Sequence, residues 1–159
     1  MKQGSTIFLK AVLICIGLTA GAVSVLVLPG VAARDAAAHP ETAYLQYPFL
    51  ACAFTLSALF ISAVYQAYKV LGYIDRNQAY SELSVLSLRT IKRCAAAVCV
   101  LIAAGSLFVI CFMEGDRAGV LMLGFIGTFV SGVIAAFAAV MQKIFKDGIE
   151  LKSENELII

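Results

Sequence analysis

Residues 118–142 read AGVLMLGFIGTFVSGVIAAFAAVMQ, 25 positions without Asp, Glu, Lys, Arg or His. A hydrocarbon core is crossed by about 20 helical residues, so this run alone is long enough to span a membrane. Three more runs of the same kind precede it: Ala11 to Ala33, Thr42 to Tyr68 and Cys94 to Met113, of 23, 27 and 20 residues. In lipid every backbone polar group must be satisfied within its own segment, and none of the runs alternates with the period of a barrel strand. The fold class expected is therefore all-α, an integral membrane four-helix transmembrane bundle. The chain reads as one membrane domain over residues 1–159, with spans near 8–30, 48–70, 93–113 and 118–142, a connection at 74–93 and a tail at 143–159. At 62% hydrophobic and 14% charged composition, no room is left for a separate water-soluble domain.

The charges outside the runs are sorted. Lys2, Lys10, Lys69, Arg76, Arg89, Lys92, Arg93, Lys143, Lys146 and Lys152 fall on one side of the expected topology, and only Arg34 and Arg117 on the other. That positive-inside bias predicts a cytoplasmic (inner) membrane protein with both termini and the middle connection in the cytoplasm. The first run, from Ala11 to Leu28, is longer than the apolar core of a secretory signal peptide, so a retained span is expected.

Motifs for chemistry are sparse. Cys15, Cys52, Cys94, Cys99 and Cys111 all fall in or at the ends of spans, where a small apolar packing role is the default over a thiol-redox pair. His39 and Glu41 are two metal-type ligands in a loop, too few for a site. No Gly-rich phosphate loop or nucleophile–base pattern is present, so no catalytic, cofactor-binding or metal-ligating residues are expected, and the chain is read as not an enzyme. Proton-coupled export is disfavoured because no carboxylate lies within a span.

The connection from Pro29 to Tyr47 is expected to be a loop with a short helical turn at Ala36 to Ala38, ending in the interfacial tyrosines Tyr44 and Tyr47. A tight turn at Glu114, Gly115, Asp116 and Arg117 is expected to join spans three and four. Between spans two and three, the chain reverses near Asp75 to Gln78. Ser81 is a candidate N-cap for a helix that places Leu83, Leu86 and Thr90 on one face and Glu82, Arg89 and Arg93 on another. This segment reads as an amphipathic surface helix running into span three.

Helix packing is written most clearly in span four, where Gly124, Thr128 and Gly132 make one row of small residues and Gly127 and Ser131 the next. Such faces let backbones approach closely where lipid removes the hydrophobic drive between helices. Gly17 and Gly21 give span one a GxxxG, and spans one and four are expected to pack together, either within the chain or across a homo-oligomer. The chain closes on Glu154, Asn155, Glu156, Leu157, Ile158 and Ile159, and its three terminal apolar residues call for a cover. The tail is therefore expected to dock on its own connection or on a partner.

The segment DRNQAYSELSVLSLRTIKR, Asp75 to Arg93, is similar to the middle connection of the YoaS-like small bacterial membrane proteins, the domain of unknown function 2975 family. In that family a Phe-Ser-x-x-Asn type segment precedes a basic stretch. Here Tyr80 and Ser81 hold the first two places, and Ser84 or Val85 stands where Asn is expected. The ending LKSENELII, Leu151 to Ile159, resembles the family's closing Leu-Lys-x-Glu-Asn-x-Leu-Thr-Ile, with Ile158 in place of Thr. The resemblance implies a bacterial multi-pass protein of the cytoplasmic membrane, often encoded beside a small helix-turn-helix regulator that becomes the implied partner.

The expected function is a non-enzymatic one, binding or regulating a partner at the cytoplasmic membrane face. The docking set is Tyr80, Ser81, Arg89, Lys92, Arg93, Glu154, Asn155, Leu157 and Ile159. Membrane lipids are expected partners, and direct contact with nucleic acid is not. The alternatives are a small oligomeric transporter or channel for a neutral solute, or a membrane immunity or stress protein.

Overall fold

The computed structural model describes residues 2–112 and 117–158. It is all-helical: α1 (Lys2–Leu26), α2 (Leu28–Ala38), a 3-10 helix (Pro40–Leu45), α3 (Gln46–Asp75), α4 (Glu82–Phe112) and α5 (Arg117–Ile158). Four helical stretches are long and apolar enough to cross a membrane, matching the four uncharged runs. The expected turn at Glu114, Gly115 and Asp116, and the terminal Ile159, lie outside the described residues.

The connection after span one differs from the expected loop. The backbone bonds Val27 N–H to Val23 O and Val31 N–H to Val27 O, both 3.0 Å, carry the helix across a short break into α2. Pro29 sits in the first turn of α2, where a missing N–H and a fixed φ are tolerated, and the alanines that follow are strong helix formers. Pro40 likewise opens the 3-10 helix, and Pro48 falls in the first turn of α3. A proline at a helix start is a weaker stop than the sequence alone suggests.

Each span packs on its neighbour in the chain: α1 on α3, α3 on α4, and α4 on α5. The expected pairing of spans one and four within the chain is corrected, since α1 and α5 do not meet among the described residues. Positions of Gly17 and Gly21 face α3, where a Cβ would lie 3.6 Å from Val64 and 4.0 Å from Ile61, ordinary contacts that do not demand glycine. On the same face the hydroxyl of Ser24 donates to Ser57 Oγ at 2.7 Å, a polar tie between α1 and α3. The small face of α5 lies on α4. Gly124 faces Ser106 with no space for a Cβ, a Cβ on Gly127 would stand 3.1 Å from Ile102, and the Cys99 thiol donates to the Thr128 carbonyl at 3.5 Å. Ser131 is half-buried on this side, while Gly132 has open space around it. A GxxxG licenses close approach without naming the partner, and short connections decide in favour of sequential neighbours.

Burial is uneven along the helices. The spans present large side chains outward, as with Phe125 at 74% and Phe137 at 69% exposure, the pattern of helices whose outer solvent is lipid. The densest apolar cluster lies at the end carrying most of the basic residues and joins Val70, Val85, Leu88 and Phe145, with Ile91, Met141 and Ile149 against it. Water supplies a hydrophobic drive at that margin which lipid cannot supply between the spans.

Candidate docking face at the basic end

Helix α3 stops through its C-cap geometry. Asn77 takes φ 56°, a left-handed conformation that Asn tolerates better than most residues. Its N–H bonds Ile74 O at 3.2 Å and the Gln78 N–H bonds Tyr73 O at 2.7 Å. These two bonds are the paired reversals of a Schellman motif, and they satisfy carbonyls the helix end leaves open.

Four residues later α4 begins. Ser81 Oγ accepts from the Ser84 N–H at 3.4 Å and its carbonyl accepts from Val85 N–H at 3.2 Å, the N-cap arrangement read from the sequence. Glu82 adds a carboxylate in the first turn, where it complements the helix dipole. Ser84 is fully buried, and its hydroxyl donates back to Gln78 O at 3.2 Å. The connection is thus pinned at both ends, and Tyr80 is presented outward between them.

The Tyr80 ring packs edge-on against Phe145 of α5, with centroids 5.7 Å apart and planes at 73°. It lies over Gly148, whose lack of a side chain makes room for the ring. On the other flank, the Lys10 ammonium of α1 donates to the Asp75 carboxylate at 2.6 Å and stands 5.6 Å from the centre of the Tyr68 ring. The bond from Lys10 holds the Asp75 carboxyl below its ordinary range; partial burial opposes this and a bond from Thr6 assists it. Asp75 lies seven residues past Tyr68, the end of the second uncharged run, and Lys10 immediately precedes Ala11, the start of the first.

Between α4 and the extension of α5 runs an open groove of 440 Å³ lined by the apolar Val85, Leu86 and Ile149 and the charged Glu82, Arg89, Lys146 and Glu150. Glu82 and Arg89 are two turns apart on α4, and Lys146 and Glu150 one turn apart on α5, so both signs of charge line one channel. Among the described residues none of these four pairs with another charge.

Of the expected docking set Arg89 lines this groove, whereas Tyr80 packs on Phe145 and Gly148 and Ser81 caps α4, neither of them in its lining. Lys92 and Arg93 lie further along α4, closer to the span. Glu154, Asn155 and Leu157 stand away from the groove on the last turns of α5, which stays helical to Ile158. Of the two covers expected for the tail, its own connection does not supply one, because residues 151–157 are all exposed, Leu157 at 83%. A helix propagates cheaply once formed, and this segment contains no glycine or proline to stop it. Glu82, Lys146 and Glu150 were not placed in the expected docking set, and Gly148 was not singled out from the sequence. A glycine within a charged helical stretch was the available signal for Gly148.

These features define an all-helical chain with four candidate membrane spans and a buried apolar cluster at one end. The family model described as "Protein of unknown function (DUF2975)" matches residues 30–159, and the chain belongs to that family. It is also 41% identical over 160 residues to the uncharacterized membrane protein YoaS of Bacillus subtilis (strain 168), an alignment covering the whole of both chains. The family model begins within α2, whereas the relative's alignment includes the first span. No solved structure is a significant match.

Proposed function

We propose that the chain is a non-enzymatic membrane anchor that receives a cytosolic protein at its basic end. The positive-inside asymmetry supports placing that end, with both termini, in the cytoplasm of a bacterial cell, and the inner membrane as the location. The observation carrying the proposal is the reach of α5: it runs 42 residues, and those after Gln142 extend past the uncharged run with Leu151 and Leu157 uncovered. An amphipathic extension beside a groove lined by both charge signs suits a helical partner, with apolar anchors against its apolar lining and charged residues against its charged lining. The small helix-turn-helix regulator implied by the family resemblance is a partner of that kind, and docking would hold it at the membrane, away from its target.

The test is crosslinked purification from native membranes in three forms of the chain: intact, lacking Glu154 to Ile159, and carrying Arg89→Glu. A specific cytosolic protein should accompany the intact chain and be lost from both variants. Recovery of that protein undiminished by either change would overturn the proposal.

A further inference from the structure

At the end opposite the basic face, α2, the 3-10 helix, α3, α4 and the start of α5 enclose a cavity of 530 Å³. Its walls are apolar and include Ala32, Phe49, Leu101 and Phe108, with Gly105 along the α4 side. Polar groups gather on one rim: Asp35 from α2, Thr42 from the 3-10 helix and Gln46 at the start of α3. Ligand sites are typically concave, about 300–1,000 Å³, mostly apolar and supplied with a few convergent polar groups. This cavity has that size and that composition.

Its polarity is also graded in the direction a bilayer requires. From Gln46 at the rim to Cys52 within is six helical residues, about 9 Å along α3 at 1.5 Å per residue. Placed by the expected span 48–70, Gln46 falls just before the hydrocarbon and Phe49 and Cys52 fall within it. Among the described lining residues Asp35 is the one carboxylate, and neither Arg34 nor Glu41 lines the cavity. The Asp35 side chain is 62% exposed beside His39 Nδ1 at 3.4 Å, so a headgroup reaches it without disturbing the fold. A largely exposed carboxylate offers a cation a solvent-screened contact of modest strength.

We propose that this cavity is a binding site for a cationic amphiphile, with its alkyl chain along α3 and α4 and its ammonium head at Asp35. Gly105 offers a clean way to close it: a Cβ there meets nothing within 4 Å, so Gly105→Leu grows into open space rather than into a neighbour.

The full chain in phosphatidylglycerol nanodiscs is labelled with a photoreactive alkyltrimethylammonium probe, and the labelled positions are mapped by peptide mass spectrometry. Label should concentrate on residues 31–52 and 101–109 and saturate. Dodecyltrimethylammonium should compete about fivefold better than dodecanol, the scale of one partly exposed charge contact, and dodecyl sulfate should compete worst. Asp35→Asn should equalise dodecyltrimethylammonium and dodecanol, and Gly105→Leu should abolish the saturable label at an unchanged melting temperature. In nanodiscs containing phosphatidylethanolamine, loss of label assigns the site to a lipid amine and retained label to a free amphiphile; both preserve the cationic head. Label spread evenly over the lipid-facing helices, label insensitive to Gly105→Leu, or equal competition by all three chains would overturn the proposal.

Discussion

The ring of Tyr80 lies over the backbone of Gly148 at a distance that leaves no space for a methyl group. The two residues belong to different helical segments, one just before α4 and the other deep in the extension of α5. Glycine inside a helix is unfavourable by about 1 kcal/mol relative to alanine, so its presence here needs a compensating contact. The aromatic ring that fills the notch and meets Phe145 edge-on provides one.

The first prediction is a reversal of sign. In a Tyr80→Ala background, Gly148→Ala should stabilise the protein by up to about 1 kcal/mol through helix propensity alone. In the native background the same change should be neutral or destabilising, because the ring must leave Phe145. Denaturant unfolding of the four proteins in detergent measures the coupling, expected at about 1 kcal/mol or more. Additive effects would show that Tyr80 and Gly148 do not depend on each other.

A second contrast lies within the membrane. Gly124 faces Ser106 without space for a Cβ, while Gly132, two turns along the same row, faces open space. Gly124→Val should destabilise the α4–α5 contact by about 1–3 kcal/mol, the usual range for overpacking. Gly132→Val should be close to neutral, and adding Ser106→Gly should recover part of the loss at position 124. Thermal stability of the purified variants checks the ordering, which an equal response at both glycines would contradict.

The third concerns acid. The Lys10 bond holds the Asp75 carboxyl below its ordinary value of 3.8, so the unfolded chain binds a proton there at a higher pH than the folded one. Stability from this group is complete above that ordinary value and is lost as pH falls through the lower folded value. The native protein should therefore lose more thermal stability than Asp75→Asn on acidification below about pH 4, and Lys10→Met should flatten the difference. Parallel acid profiles for all three proteins would show that the pair contributes nothing at the α1–α3 margin.

Much of the architecture was legible because uncharged length is a strong signal in a lipid environment. The described residues of the runs at 11–33, 42–68, 94–113 and 118–142 fall within the four membrane-length helical stretches, the third ending at Phe112, and Ser81 caps α4. Helix partners were less legible. Gly17 and Gly21 advertise a smooth face, but chain connectivity gives that face to α3, and their contacts there would accommodate a side chain. The stretch from Pro29 reads as a loop, and the place of that proline in a first turn makes it compatible with α2. The groove escaped notice because Glu82 and Lys146 are 64 positions apart in the sequence, and only the crossing of α4 with α5 makes them neighbours. The rim at Asp35, Thr42 and Gln46 was hidden for the same reason, spread across a connection read as a loop.

The uninterrupted hydrogen-bond ladder of α5 has a mechanical consequence. Its last 16 residues, Lys143 to Ile158, project about 24 Å beyond the uncharged run at 1.5 Å per residue, with no proline to act as a joint. Spanning helices adjust their tilt to bilayer thickness, and a rigid rod turned by about 10° sweeps such a tip sideways by about 4 Å. A tilt of the span is therefore carried along the helix without a joint, and the exposed turn at Leu157 moves furthest.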